Sequence, residues 1–121
     1  MRWPIWRVAV AERSMEPALL PGDWLLVRRS LSAGRPVRIR PGQIVIASHP
    51  GRASHPGRAG LPGRAGLLLV KRAARREPGG WWLESDNPGA GAVDSRAFGV
   101  VPPELIEGVV LFRYWPARRG N

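Results

Sequence analysis

Glycine and proline interrupt this chain at short intervals, and that spacing limits its fold more than any other feature. The sequence holds 15 glycines and 13 prolines among its 121 residues. Proline breaks helices and glycine weakens them, so few stretches can form a helix of ordinary length. The runs between these residues are short and rich in aromatic and β-branched side chains, which favour strands. The pattern disfavours an all-α bundle.

The sequence predicts seven or eight short strands in one domain over residues 1–121. Their expected bounds are 3–11, 24–29, 36–40, 43–47, 67–72, 81–85, 99–101 and 108–115, with a helical turn over 103–106. Strands joined by short turns pair mostly antiparallel. We therefore expect a mainly β fold, with antiparallel sheets that form a partly closed barrel or a sandwich.

A low-complexity segment over residues 48–66 interrupts this pattern. It begins with Ser48-His49-Pro50-Gly51-Arg52-Ala53, and the hexapeptide returns twice with small changes. Such a composition offers no apolar face to a core. We expect a surface loop within the single domain.

The residue inventory excludes several kinds of chemistry. The chain has no cysteine, which rules out disulfides, zinc-thiolate sites and cysteine nucleophiles. Both histidines, His49 and His55, lie in the repeat, where little would hold an imidazole rigidly. A Ser-His-Asp triad is therefore disfavoured, and we expect neither a metal nor a cofactor.

Hydropathy and charge indicate whether the protein is membrane-inserted, exported or cytoplasmic. No apolar run approaches the roughly 20 residues of a transmembrane helix, and the start of the chain lacks the apolar centre of a signal peptide. We expect a cytoplasmic protein without a transmembrane anchor. Its net charge of +10 and its six tryptophans also predict weak contact with an anionic membrane surface.

Lys71 is the only lysine among the 19 basic residues. An arginine cannot lose its proton in a protein, whereas a buried lysine can do so and become a base. Lys71 is thus the only candidate amine base. Composition alone leaves open whether this lysine is functional or incidental.

Ser14 is the best candidate nucleophile. The chain lacks cysteine and threonine, so a hydroxyl attack must come from a serine or from Tyr114, and a serine activated by a lysine is a known arrangement. Ser14 follows an apolar strand and precedes Met15 and Pro17, so the chain must turn there and expose the hydroxyl. A helix cap or a local serine turn is the alternative interpretation.

Three segments, in this order along the chain, resemble the conserved blocks of the signal peptidase I family. The serine box is matched by Ser14-Met15-Glu16-Pro17-Ala18-Leu19 with Pro21-Gly22-Asp23 and Leu26-Val27, and the lysine box by Leu69-Val70-Lys71-Arg72. The third block is matched by Asp86-Asn87 and by Asp94-Ser95-Arg96-Ala97-Phe98-Gly99-Val100-Val101-Pro102. The resemblance covers most of the chain outside the repeat.

The resemblance implies the β fold of that family and a serine endopeptidase with a Ser/Lys dyad. Ser14 would be the nucleophile, and Lys71 the general base and later the general acid. Asp94, Ser95 and Arg96 would support the site, with Asp94 and Arg96 expected to form an ion pair on an extended segment. For the dyad to work, burial behind the apolar residues 67–70 must lower the pKa of Lys71 well below its usual range.

Substrate binding is also implied by the resemblance. The substrate would lie extended beside the dyad as an added strand, and Met15 and Val70 would line a shallow pocket for a small residue. Core packing is the alternative role for both.

Two positions differ from the family pattern. Glu12 stands where many members have a hydroxyl or a glycine, so we expect its side chain to point away from the oxyanion, which the backbone N–H of Ser14 would bind. Ala92 replaces a serine that often bonds the lysine. We therefore expect Ser95, a backbone carbonyl or a water to orient Lys71.

The chain begins too close to Ser14 to contain a membrane anchor before it, so we expect a soluble precursor protein with a cleavable N-terminal peptide as the partner. The compact, arginine-rich form resembles the proteases that mature nickel-type superoxide dismutase. A protease for another precursor is one alternative. A basic β domain that binds nucleic acid is the other, although strand-borne tryptophans are expected in the core.

Overall fold

The fold is an open antiparallel sheet, seen in a computed structural model that describes residues 5–29, 38–48, 68–90 and 93–116. Six strands lie in these ranges. They are β1 (Ile5–Ala9), β2 (Trp24–Arg29), β3 (Ile44–Ser48), β4 (Leu68–Glu77), β5 (Gly80–Glu84) and β6 (Ile106–Trp115). The strand order is β1-β2-β6-β3-β4-β5, and every pairing is antiparallel. The prediction of a mainly β fold is confirmed, but the described strands form one sheet that is not closed into a barrel, rather than the expected partly closed barrel or sandwich.

Most predicted strands match observed ones, and two do not. Residues 38–40, from the predicted strand 36–40, form no strand, and β3 pairs with β4 and β6 instead. Residues 99–101 contribute one isolated bridge, Val101 to Trp81. Each segment lies near a glycine with positive φ, where the chain leaves extended geometry: Gly42 follows residues 38–40 after one proline, and Gly99 begins 99–101. The predicted helical turn is a 3-10 turn over Pro103–Leu105.

The repeat 48–66 lies outside the described residues, except for Ser48, which ends β3. The prediction of a surface loop therefore stays a prediction.

The strands bury apolar side chains on both faces of the sheet. One cluster gathers around Val45, Leu83 and Val109, and the other around Leu25, Val27 and Ile46. Because successive residues of a strand point to opposite faces, β3 places Val45 in the first cluster and Ile46 in the second. This makes β3 a central strand, with Val45, Ile46 and Ala47 fully buried.

A short helix, α1 (Ser95–Phe98), follows the third gap in the described chain. Asp94 is its N-cap and accepts a hydrogen bond from the Arg96 N–H. The expectation that residues 94–96 are extended is therefore wrong. A carboxylate that can accept from the exposed N–H groups of a first helical turn favours a cap over a strand here.

Candidate active site

Lys71 lies in β4, opposite Val45 of β3, with 1% of its surface exposed. Its Nζ donates a hydrogen bond of 3.0 Å to Oγ of Ser85. Desolvation by burial lowers the pKa of Lys71, although the negative charges of Glu12 and Asp94 act in the opposite direction. Burial thus favours the neutral amine, the form that can accept a proton.

Ser14 lies in the turns between β1 and β2, with 4% of its surface exposed. Its backbone is held by Asn87, which follows β5. The Asn87 N–H donates to the Ser14 carbonyl at 2.8 Å, and the Asn87 side-chain amide donates to the Arg13 carbonyl at 3.1 Å. These two bonds hold the turn that contains Ser14, here called the serine turn, against the segment that follows β5.

The segment 85–87 joins the serine turn to the lysine strand. Ser85 accepts from Lys71, and Asn87 holds the backbone of Ser14. Between them, Asp86 pairs with the Arg72 guanidinium through two hydrogen bonds of 2.6 and 3.0 Å. Paired bonds of this kind fix orientation as well as distance. Three consecutive residues therefore set where Ser14 lies relative to Lys71.

The Ser14 hydroxyl and the Lys71 amine are not hydrogen-bonded to each other within the described ranges; the amine bonds Ser85 instead. In serine hydrolases the bond between nucleophile and base commonly tightens only when the substrate binds. The arrangement consists of a buried amine, a buried serine in a turn beside a pocket, and one segment that links the two.

A pocket of about 110 Å³ opens at Ser14. The residues that line it come from the end of β1, the serine turn and the start of β4: Val8, Ala9, Val10, Ala11, Glu12, Ser14, Met15, Leu68 and Val70. Met15 and Val70 both line it. Met15 is also fully buried in the second core cluster, and Val70 packs against that cluster. Both residues therefore line the pocket and pack in the core.

Glu12 is among the residues that line the same pocket as Ser14. Its charge reaches Lys71 and favours the ammonium form. The backbone N–H of Ser14 is also expected, from the sequence, to bind an oxyanion. Among the described residues the Ser14 N–H donates to no other group.

Asp94 of the third block is linked to Lys71 through Ser85 rather than by a direct hydrogen bond. Asp94 accepts from the Ser85 N–H at 2.9 Å and lies 3.7 Å from the Arg96 guanidinium. The expected ion pair thus forms, although Arg96 is half exposed. Ser95 does not orient Lys71, because its Oγ accepts from the Leu83 N–H at 2.8 Å.

Ser85 is the contact of Lys71 that the sequence analysis missed. It ends the predicted strand 81–85 and directly precedes Asp86-Asn87 of the third block, and that position was the signal that could have found it. Its hydroxyl bonds Lys71, which is the role that the resemblance gives to a serine at the position of Ala92. Ala92 itself lies outside the described residues.

No cluster of His, Asp or Glu in the described residues could hold a metal ion. A search of the same residues also finds no helix long and apolar enough to cross a membrane. Neither a protein-family model nor a curated protein matches this sequence.

Proposed function

We propose that this chain is a serine endopeptidase that hydrolyses peptide bonds with a Ser14/Lys71 dyad. The observation that carries the proposal is the burial of the only lysine at the segment 85–87, which also holds the backbone of Ser14. A structural lysine would be expected to pair directly with a carboxylate. Lys71 bonds a hydroxyl instead, and burial lowers its pKa.

The proposed chemistry follows from these positions. Neutral Lys71 accepts the Ser14 proton while Oγ attacks the carbonyl carbon of the substrate, and the Ser14 N–H stabilises the oxyanion. The Lys71 ammonium then gives its proton to the leaving amine, which breaks the C–N bond and leaves an ester on Ser14. Water, deprotonated by Lys71, hydrolyses that ester and regenerates the hydroxyl.

The particular enzyme we propose is a signal peptidase I-like processing protease that removes an N-terminal propeptide in the cytoplasm. The precursor of a nickel-type superoxide dismutase is the first candidate substrate, and another precursor protein is the alternative. The resemblance of the three blocks supports this choice.

Substrate binding is supported by the position of β1 at the edge of the sheet, where it pairs only with β2 among the described strands. An extended peptide can add to such an edge through backbone hydrogen bonds. The pocket between β1 and Val70 would then take a side chain on the acyl side of the cleaved bond. Its small size and apolar walls suit a small apolar residue.

The direct test is to incubate the purified protein with a candidate precursor and to measure the mass of the released peptide. Cleavage by the wild type and none by Ser14→Ala supports the proposal. Cleavage that survives in Ser14→Ala would refute it.

Nucleic-acid binding is the second candidate function, and one observation favours it. Trp24 and Trp115 are 39% and 58% exposed rather than in the core, contrary to the expectation for strand-borne tryptophans. Exposed rings on a basic protein can stack on bases. Salt-dependent retention on single-stranded DNA that survives Ser14→Ala, together with no peptide cleavage, would favour this function.

We expect Ser85→Ala to slow cleavage because Lys71 loses the hydroxyl that orients its amine. A general base that is misplaced by about 1 Å costs on the order of 10²-fold in rate, so kcat should fall while KM changes little. Ser85→Thr, which keeps the hydroxyl, should recover most of the activity. Steady-state kinetics on a peptide substrate measures both constants.

The matched control is Ser95→Ala, which removes a neighbouring buried hydroxyl that bonds Leu83 rather than Lys71. It should lower the melting temperature but leave kcat of the folded protein close to the wild-type value. Equal kcat values for Ser85→Ala and Ser95→Ala would show that Ser85 has no orienting role.

Glu12→Gln should move the acidic limb of the profile of kcat/KM against pH to lower pH. The charge of Glu12 raises the pKa of Lys71, so its removal makes the neutral amine available at lower pH. Glu104→Gln removes the same charge from an exposed position beyond the pocket and should leave the limb in place. A shift of the limb in the opposite direction would contradict this account of the pocket.

A further inference from the structure

Glu12 puts a negative charge at the pocket of a protein that is otherwise strongly basic. It is the only charged residue among those that line the pocket, and apart from Ser14 the other lining residues are apolar. The chain as a whole has a net charge of +10. The pocket therefore differs from the rest of the molecule in the sign of its local charge, and local charge selects which ligands approach.

The carboxylate of Glu12 is available to a ligand. Glu12 is exposed and makes no hydrogen bond or ion pair within the described ranges. The neighbouring cation, Arg13, pairs instead with Glu16 at 3.2 Å. The Lys71 amine, on which the charge of Glu12 acts, bonds the Ser85 hydroxyl rather than this carboxylate.

An unpaired carboxylate at this position opposes the proposed reaction in two ways. The oxyanion would form at the Ser14 N–H, two residues along the chain from Glu12, and like charges repel each other. The charge of Glu12 also acts to raise the pKa of Lys71, which favours the ammonium form that cannot accept a proton. A positive group of the substrate beside Glu12 would remove both costs.

We propose that Glu12 selects substrates that carry a basic side chain within two residues of the cleaved bond. The inference rests on the proposed protease function and names the class of sequence that the enzyme would cut. An extended peptide along β1 would pass Glu12 just before it reaches Ser14, because residues 10–13 join β1 to the serine. The basic side chain would pair with the carboxylate, while a small apolar side chain would fill the pocket.

The test incubates the purified full chain with a library of peptides that share a central alanine and vary at the two positions on each side of it. Mass spectrometry of the products should show lysine and arginine enriched, and aspartate and glutamate depleted, at one of these positions. A matched pair of peptides with lysine or glutamine at that position then gives the size of the preference. We expect kcat/KM to be about fivefold higher for the lysine peptide, and added salt should reduce this ratio.

Variants of Glu12 assign the preference to this residue. Glu12→Gln should cleave the two peptides at equal rates, and Glu12→Lys should prefer a peptide with glutamate at the same position. Comparing two peptides on one enzyme cancels any effect of the substitution on Lys71 itself. Glu104→Gln, which removes an exposed carboxylate beyond the pocket, should keep the wild-type ratio. The melting temperature confirms that each variant is folded.

The possible failures of this inference and of the protease function differ. Equal cleavage of the lysine, glutamine and glutamate peptides by the wild type would overturn the inference and leave the protease function standing. A preference for lysine that persists in Glu12→Gln would do the same. If no member of the library is cleaved, the protease function is refuted and the inference falls with it.

Discussion

Lys71→Arg should lose peptide cleavage by at least about 10³-fold in kcat/KM, while the protein keeps its positive charge at that position. The guanidinium holds its proton at every pH at which the protein is folded, so it cannot accept the Ser14 proton. Lys71 is the only lysine in the chain, and no second amine side chain can take over. Single-turnover cleavage, followed by mass spectrometry, measures the loss.

A guanidinium is larger than an amine, and position 71 is fully buried, so a second variant separates lost chemistry from lost folding. Lys71→Met has nearly the same volume and should be folded and equally inactive. Ser14→Ala should lose as much activity, and combining it with Lys71→Met should cost little more, because residues that act as one unit are not additive. Turnover by Lys71→Arg near the wild-type rate would refute the dyad.

The burial of Lys71 also makes stability depend on pH. Because burial lowers the pKa of Lys71 in the folded chain, the unfolded chain binds this proton more tightly, and folding gains stability as pH rises from the folded toward the unfolded pKa. Lys71→Met should lack that gain. Urea unfolding at neutral and at alkaline pH compares the two, and the same gain in both proteins would show that Lys71 is not the cause.

The sequence predicts the strands well where one apolar run lies between two strong turns. The prediction of 24–29 matches β2, which starts after Pro21-Gly22, and a turn at Pro78-Gly79 joins β4 to β5. The predictions of strands at 36–40 and 99–101 are wrong because strand propensity does not say which neighbouring strand supplies the hydrogen bonds. β3 takes its partners from β4 and β6.

The candidate site was predictable where it depends on residue type and not where it depends on register. Ser14 and Lys71 follow from the inventory of nucleophiles and amines. Ser85 does not, because a tight turn pairing Glu77 with Gly80 would place Asp86 opposite Lys71. A register shift between Ala73 and Arg75 brings Arg72 opposite Glu84 and Ser85 next to the amine, and a shift of one residue exchanges the faces of a strand.

Asp94→Ala should destabilise the protein by about 3 kcal/mol, which combines the loss of a helix cap with a buried N–H left without an acceptor. Asp94 is 4% exposed and accepts from the N–H groups of Ser85 and Arg96. A change of this size lowers the melting temperature by roughly 10 °C for a chain of this length. Because Asp94 fixes the backbone of Ser85, the same variant should also slow cleavage.

The dependence on pH identifies the carboxylate as the cause. Burial alone would raise the pKa of Asp94, but the hydrogen bonds from Ser85 and Arg96 and the nearby positive charges lower it overall. The stability it provides is therefore complete above the unfolded pKa of about 3.9 and is lost as pH falls through the folded pKa. The difference between the wild type and Asp94→Ala should shrink below pH of about 4.

Glu104→Ala, which removes an exposed carboxylate, should change stability little at any pH and serves as the control. Asp94→Asn keeps one acceptor oxygen and should fall between the wild type and Asp94→Ala, without the acid dependence. If Asp94→Ala unfolds with the wild-type midpoint at neutral pH, the carboxylate does not hold Ser85. The orientation of Lys71 would then rest on the hydroxyl of Ser85 and on the ion pair of Arg72 with Asp86, because those contacts reach the lysine strand without Asp94.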